Sequence, residues 1–425
     1  MNLIEELQWR GLIQDIIPGT EEQLGKELTT GYVGFDPTSD SLHIGSLVPI
    51  ILLMHLQKAG HQPIALVGGA TGMVGDPSGK SEERNMLSME QIELNVQGIR
   101  GQLAHFLHFD DGTKNAAKLV NNYDWFKDIS FLDFIRDVGK FITVNYMLSK
   151  DSVQKRLETG MSFTEFTYQL VQGYDFFYMH QNYGVKLQMG GSDQWGNIVT
   201  GTELIRKKSG GEAFAFTAPL IKKADGGKFG KTESGNVWLS ANKTSPYIFY
   251  QFWLNTKDAD AIAYIKIFTF LPPQEIDDII AQHEVDPGLR IVQKKLAEEV
   301  TKMVHSQTDF EFAIAASQIL FSNDTANALR TLTEQQLLEV MDGVPTFNFA
   351  KENILNGHNI VNLLSETGIF PSKSEAKKMI QSGGVSLNKI KLTDIDFLVS
   401  KDDLLNDKYL LIQKGKKHYH LIIAQ

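Results

Sequence analysis

Between residues 31 and 69 the chain writes strand, helix and strand in succession, and this run restricts the fold more than any other. Gly31-Tyr32-Val33-Gly34-Phe35 is a short β-prone segment closed by Pro37. Residues 47–59 repeat their apolar side chains with helical period and stop at Gly60, a residue suited to the position just past a helix end. Ile64-Ala65-Leu66-Val67-Gly68-Gly69 has the length and composition of a buried strand. Two strands joined through one helix lie parallel, with a right-handed crossover. Strand-like runs at 117–120 and 185–189 and a helical stretch at 163–179 continue the alternation. The expectation is an α/β fold, a Rossmann-like doubly wound parallel sheet over residues 1–220. Residues 3–16 read as an amphipathic helix leading into it.

The texture changes after Ser245-Pro246. Residues 247–322 are helical by pattern, with starts at Asp258, at Pro272-Pro273-Gln274-Glu275 and near Asp286-Pro287, so an α-helical domain is expected there after a connection at 221–246. Residues 323–356, around Asp342-Gly343-Val344-Pro345, read as a linker. A small α+β domain follows at 357–425, with a Lys-rich helix at 371–381, a turn at Ser382-Gly383-Gly384 and the β-prone Val385-Ser386-Leu387. A length of 425 residues suits two or three domains. The net charge of −10 does not suit the molecule as a whole to nucleic acid, but residues 351–425 hold 11 Lys against 8 acidic side chains. RNA contact would therefore be local. There is no cysteine, which excludes disulfides and thiolate metal sites and fits a reducing cytoplasm. The apolar stretch 48–56 is too short to span a bilayer, and the first residues lack the regions of a secretory signal, so a cytoplasmic protein with no membrane partner is expected.

Two distant segments are candidates for phosphate chemistry, the first also readable alone as a helix-capping turn with a surface His and the second as a solvated basic turn. His43-Ile44-Gly45-Ser46 falls between the first strand and the next helix, where unpaired N–H groups and the helix dipole favour anions. Its imidazole adds a directed donor, and Gly45 lets a nucleotide lie close to the backbone. Gly226-Gly227-Lys228-Phe229-Gly230-Lys231-Thr232 places two ammonium groups on a glycine-hinged loop that can close on a triphosphate. Residues 68–81 end in Gly79-Lys80-Ser81 but are no Walker loop, because Val74 stands where the first glycine is needed. Tyr168, Gln172 and Asp175 share one helix face among aromatic neighbours, a buried polar set that a ligand can satisfy. Gly190-Gly191-Ser192-Asp193-Gln194-Trp195-Gly196-Asn197 follows a strand, where paired glycines admit a nucleotide and Asp193 can accept from ribose, or where Ser192 or Asp193 simply caps the next helix.

With these residues in this order, the chain resembles the bacterial tyrosyl-tRNA synthetases, class I aminoacyl-tRNA synthetases, over essentially its whole length. The two segments are similar to the His-Ile-Gly-His and Lys-Met-Ser-Lys-Ser signatures of that class. The resemblance implies that Tyr32 and Asp175 bracket the substrate phenol, that Asp76, Tyr168 and Gln172 hold its ammonium group, and that Gln194 lies near its carboxylate. It implies ATP contacts from Gly34, Asp36, Thr38, His43, Gly45, Ser46, Gly191 and Asp193, and closure on pyrophosphate by Lys80, Arg84, Lys228, Lys231 and Thr232. It also implies ATP with Mg²⁺, no metal held by the protein itself, tRNA(Tyr) as partner, a homodimer through residues 125–160, anticodon recognition at 247–322 and an S4-like RNA-binding module at 357–425.

Two positions depart from the family pattern: Ser46 stands where many members carry a second His, and Val33 where some carry a Cys. A serine hydroxyl still donates to ribose, so a modest loss is expected there. The tryptophan enzymes share the domain plan, but the Tyr32/Asp175 pair and the basic C-terminal module favour tyrosine. A nucleotidylyltransferase would lack the last two domains, and a non-catalytic RNA-binding protein would not need His43, Lys228 and Lys231.

Overall fold

The computed structural model describes the chain except residues 77, 79–86, 111, 158–159, 228, 233–234, 322–325, 342–343 and 416–417. It divides into two compact units, one of residues 1–244 with 252–305, the other of residues 245–251 with 306–425.

The first unit is built on strands β1 (Asp15–Ile16), β2 (Thr30–Phe35), β3 (Gln62–Val67), β4 (Lys118–Asn121), β5 (Val185–Gly191) and β6 (Phe214–Ala218), in the order β1-β6-β5-β2-β3-β4. All neighbours are parallel except β1, which pairs antiparallel with β6. The chain moves outward from β2 to β4 and then returns to lay β5 against the other side of β2. That reversal opens a crevice at the carboxyl ends of β2 and β5, the place where open α/β sheets hold ligands. The edge strand β1 corrects the reading of residues 3–16 as one helix: the helix is Leu3–Trp9, and Gly11 then turns the chain at φ +74°. A two-residue strand carries no periodicity to read.

The helix Leu47–Lys58 follows β2 and is buried almost all round, through Ile50, Ile51, Leu52, Leu53, His55 and Leu56. The helix Phe163–Tyr183 starts at a capping box of Ser162 and Glu165 and ends at Gly184. It runs four residues past the expected end because no breaker intervenes before that glycine. A short antiparallel pair, β7 (Lys231–Thr232) with β8 (Gly235–Asn236), follows the sheet.

The helical stretch expected as a domain of its own is divided. Helices Asp258–Phe268, Pro273–Val285 and Ile291–Val304 cluster with the sheet in the first unit. Arg10 ties them there: its guanidinium, 2% exposed, donates to the carbonyls of Lys266, Thr269 and Leu271 at 2.8, 2.8 and 2.9 Å. These acceptors stand at a helix C-terminus, where a cation is favoured.

Beside it His55 packs on Phe270 with ring centroids 4.5 Å apart. Burial, then the charges of Arg10 and Lys58, push its imidazole down to about 3. The unfolded chain takes up a proton near 6.5 and the folded chain does not, so this stability is complete above pH 6.5 and is lost as the pH falls towards 3. His55→Leu is therefore expected to flatten the acid-side decline in thermal stability, by up to about 1.4 kcal/mol per pH unit, measured as unfolding midpoints across pH.

The second unit carries β9 (Thr346–Phe349), β10 (His358–Asn359), β11 (Val385–Leu387), β12 (Ile390–Lys391), β13 (Leu398–Val399), β14 (Tyr409–Lys414) and β15 (His418–Ala424). Five of them form a sheet in the order β12-β11-β14-β15-β9, and the other two pair with each other. Leu363, Leu364, Phe370, Ile380, Leu410 and Ile412 fill its core. The expected linker at 323–356 holds helices Ala326–Thr331 and Glu334–Val340, and also β9, which pairs in parallel with β15. The short alternation of Thr346-Phe347-Asn348-Phe349 is a strand signal that the neighbouring turn residues obscure. Among the described residues no helix is long and apolar enough to cross a membrane.

Candidate active site

The crevice at β2 and β5 is a cavity of about 700 Å³. Its floor belongs to Asp175, 1% exposed, on the helix Phe163–Tyr183. Both carboxylate oxygens accept hydrogen bonds, one from the Asn122 side-chain amide at 3.0 Å and one from the Trp125 indole N–H at 2.9 Å. Burial pushes this carboxyl up to about 8 against those two donors, which hold it down. The Tyr32 hydroxyl is buried nearby with no hydrogen-bond partner among the described residues, its proton held by burial and by the Asp175 charge. A buried phenol without a partner is costly unless a ligand supplies one.

Above this floor the polar groups connect. Tyr168 donates to one oxygen of Asp36 at 2.9 Å and Thr71 to the other at 2.7 Å. Asp36, expected on the ATP side, thus orients Tyr168. The Asp76 carboxylate accepts from the Gln194 amide at 2.6 Å and from the Ser78 backbone N–H at 2.9 Å. The Asn197 amide donates to the Gln172 and Gln194 carbonyls at 2.9 and 3.3 Å. Tyr32, Asp76, Tyr168, Gln172, Asp175 and Gln194 therefore all face one cavity.

On the open side lie Gly34, Asp36, His43, Gly45, Ser46, Gly191 and Asp193. His43 caps the short turn Ile44–Ser46, and its Nδ1 accepts the Gly45 N–H at 3.0 Å. In the neutral ring the proton then sits on Nε2, which makes it the donor. A Cβ at Gly45 would stand 2.7 Å from the His43 ring, so a side chain here would push the imidazole from its place. Thr38 is exposed and does not line the cavity.

The loop bearing the second segment reaches the first through its backbone. Ile44 N–H donates to the Val237 carbonyl at 3.0 Å, and His43 meets Trp238 edge-on with centroids 6.2 Å apart. Gly230, at φ +82°, lies against Ile44, where a Cβ would approach to 3.0 Å. The two segments, almost two hundred residues apart, are thus in contact. Lys80, Arg84 and Lys228 lie outside the described residues, as do the side chains of Lys231 and Thr232, whose backbone forms β7.

Sequence reasoning missed Asn122, Trp125, Thr71 and Ser78 and gave no role to Asn197 at the end of its last cluster, and these hold the expected residues in place. Asn122 follows directly on β4, and an Asn just past a strand end beside the crevice is the one signal that could have marked it.

Comparison with known proteins gives the same direction. The family described as "tRNA synthetases class I (W and Y)" matches residues 26–322, and the "Tyrosine--tRNA ligase SYY-like C-terminal domain" matches residues 336–422. The chain is 61% identical to the tyrosine--tRNA ligase of Parabacteroides distasonis and 60% identical to that of Porphyromonas gingivalis, over 100% of both chains in each case. Among solved structures it is similar to a C-terminally truncated mitochondrial tyrosyl-tRNA synthetase of Aspergillus nidulans, with a TM-score of 0.66 and 31% identity over 75% of this chain and 94% of that one. By these full-length relatives and this family match, the chain belongs to the tyrosine–tRNA ligase family of class I tRNA synthetases.

Proposed function

We propose that the cavity at the carboxyl ends of β2 and β5 takes L-tyrosine and ATP, makes tyrosyl-adenylate, and passes tyrosine to tRNA(Tyr). The observation that carries this is the Asp175 carboxylate, fixed from behind by Asn122 and Trp125 and facing the cavity beside the unpartnered Tyr32 hydroxyl. A substrate phenol that donates to Asp175 and accepts from Tyr32 satisfies both groups at once. That donation adds a third hydrogen bond to the ionised carboxylate and pulls its pKa down on binding. Asp76, Tyr168 and Gln172 then receive the ammonium group, and Gln194 lies by the carboxylate.

The tyrosine carboxylate oxygen attacks the ATP α-phosphorus in line, and the bond to the bridging oxygen of the β-phosphate breaks to release pyrophosphate. No protein nucleophile takes part. Acceleration comes from placing the two substrates and from donors aimed at the phosphates, namely His43 through Nε2 and the cations Lys80, Arg84, Lys228 and Lys231. With ATP, Mg²⁺ would supply further neutralisation of charge on the phosphates, and no residue of the chain is assigned to hold it. The terminal ribose hydroxyl of tRNA then attacks the acyl carbonyl and AMP leaves. The helical region at 247–322 and the α+β module at the C-terminus are the surfaces for tRNA, supported for the latter by its local excess of lysine.

The test is exchange of labelled pyrophosphate into ATP. It should depend on tyrosine; exchange driven by tryptophan, or none with tyrosine, would overturn this reading.

The same reading makes the chain a homodimer through residues 125–160. In support, Phe131, Leu132, Ile135, Val144, Leu157 and Phe163 are all exposed, Leu132 at 75%, more apolar surface than an isolated chain usually shows in one region. Leu132→Glu is expected to shift the mass in light scattering from twice the 47.6 kDa of the chain to the single chain.

A further inference from the structure

We propose that Phe229 is a positioning residue for adenylate formation: seated in an aromatic cage, its ring fixes the course of the chain that carries Lys228 and Lys231. This rests on the reading of those lysines given above. Phe229 stacks on Phe268 with centroids 5.2 Å apart and an interplanar angle of 16°. It meets Tyr264 edge-on at 5.1 Å, Trp253 at 5.9 Å and Phe252 at 6.1 Å. Phe268 and Trp253 are fully buried and Tyr264 nearly so, so the cage is a fixed part of the core.

The chain on either side is also held. Upstream, Ala224 N–H donates to the Asp260 carboxylate at 2.7 Å, the Tyr264 hydroxyl donates to the Lys222 carbonyl at 3.4 Å, and Lys257 pairs with Asp225 at 2.9 Å. Downstream, Ile44 N–H donates to the Val237 carbonyl at 3.0 Å and Leu239 N–H to the Leu42 carbonyl at 2.9 Å. Between these anchors, Phe229 is the one apolar side chain in Gly226-Gly227-Lys228-Phe229-Gly230-Lys231-Thr232. A ring with oriented neighbours fixes the backbone at Phe229 itself, next to Gly230. The cage residues come from the helices after Ser245, so the helical region and the lysine-bearing chain share a single contact set.

The experiment uses the full chain in single-turnover adenylate formation, with tyrosine affinity measured separately at equilibrium. Phe229→Ala should slow adenylate formation about 10- to 100-fold, the loss that follows from displacing a charged group by about 1 Å, while tyrosine affinity stays within about twofold. Phe229→Met should restore most of the rate, because a thioether fills an aromatic cage. In the Lys228→Ala/Lys231→Ala background, Phe229→Ala should cost little more, since both lysines it positions are already gone. An unchanged rate in Phe229→Ala, or a loss that simply multiplies with that of the double lysine variant, overturns the positioning role. No effect of Lys231→Ala on its own overturns the reading of the lysines instead. Should Phe229→Ala not fold, Phe229→Leu is taken through the same cycle with the same two outcomes.

Discussion

Asp175→Asn should lower kcat/KM for tyrosine by about 2–4 kcal/mol of binding energy, roughly 30- to 1,000-fold in pyrophosphate exchange, with the KM for ATP nearly unchanged. The reason lies behind the residue. Asn122 and Trp125 each donate to a different oxygen of Asp175. An amide has one oxygen, so its NH₂ must confront one of these two buried donors. The substituted site loses an acceptor for the phenol and gains a donor–donor clash. Phenylalanine, which brings no hydroxyl, should lose far less, and the preference for tyrosine should narrow. Tyrosyl-tRNA synthetases are themselves the standard worked case of this kind of rejection, at about 10⁵ against phenylalanine. If Asp175→Asn left tyrosine turnover and the preference over phenylalanine as they were, the phenol would have to sit elsewhere in the cavity.

Lys231→Ala should slow adenylate formation by about 10²- to 10³-fold, the range for removing one group aimed at charge that develops in the transition state. Tyrosine affinity should barely move, because the phenol contacts proposed here come from Asp175 and Tyr32 and not from this lysine. Rapid quench of single turnovers separates the two quantities. Equal losses in both would mean that the lysine acts on bound substrate as much as on the transition state.

The sequence shows some layers of this site and hides others, and the division follows distance along the chain. The βαβ unit is legible because each element is marked locally, by Gly60 at a helix end and by apolar runs of strand length. The shared face of Tyr168, Gln172 and Asp175 is legible because helical spacing alone produces it. What holds those residues is not legible. Thr71 and Asp36 meet across 35 positions, and Trp125 and Asp175 across 50. Such pairings depend on the sheet order, which one sequence does not encode locally. Gly45 was read as making room for a nucleotide, whereas a Cβ there meets the His43 ring first. The edge strand β1 escaped because two residues show no alternation, and the division of the helical region escaped because Arg10 reaches its partners across about 256 positions.

The parallel pairing of β9 with β15 sets where the C-terminal module can be cut. A fragment that begins at residue 357 discards β9 and uncovers the row of backbone groups along β15, from Leu421 to Ala424, that Thr346–Phe349 otherwise occupies. Open strand edges of this kind recruit other chains and aggregate. A fragment that begins ahead of Glu334 keeps the edge covered and also retains the carboxylate that holds Lys408 and Tyr409. Isolated modules meant for RNA-binding measurements belong to that longer design.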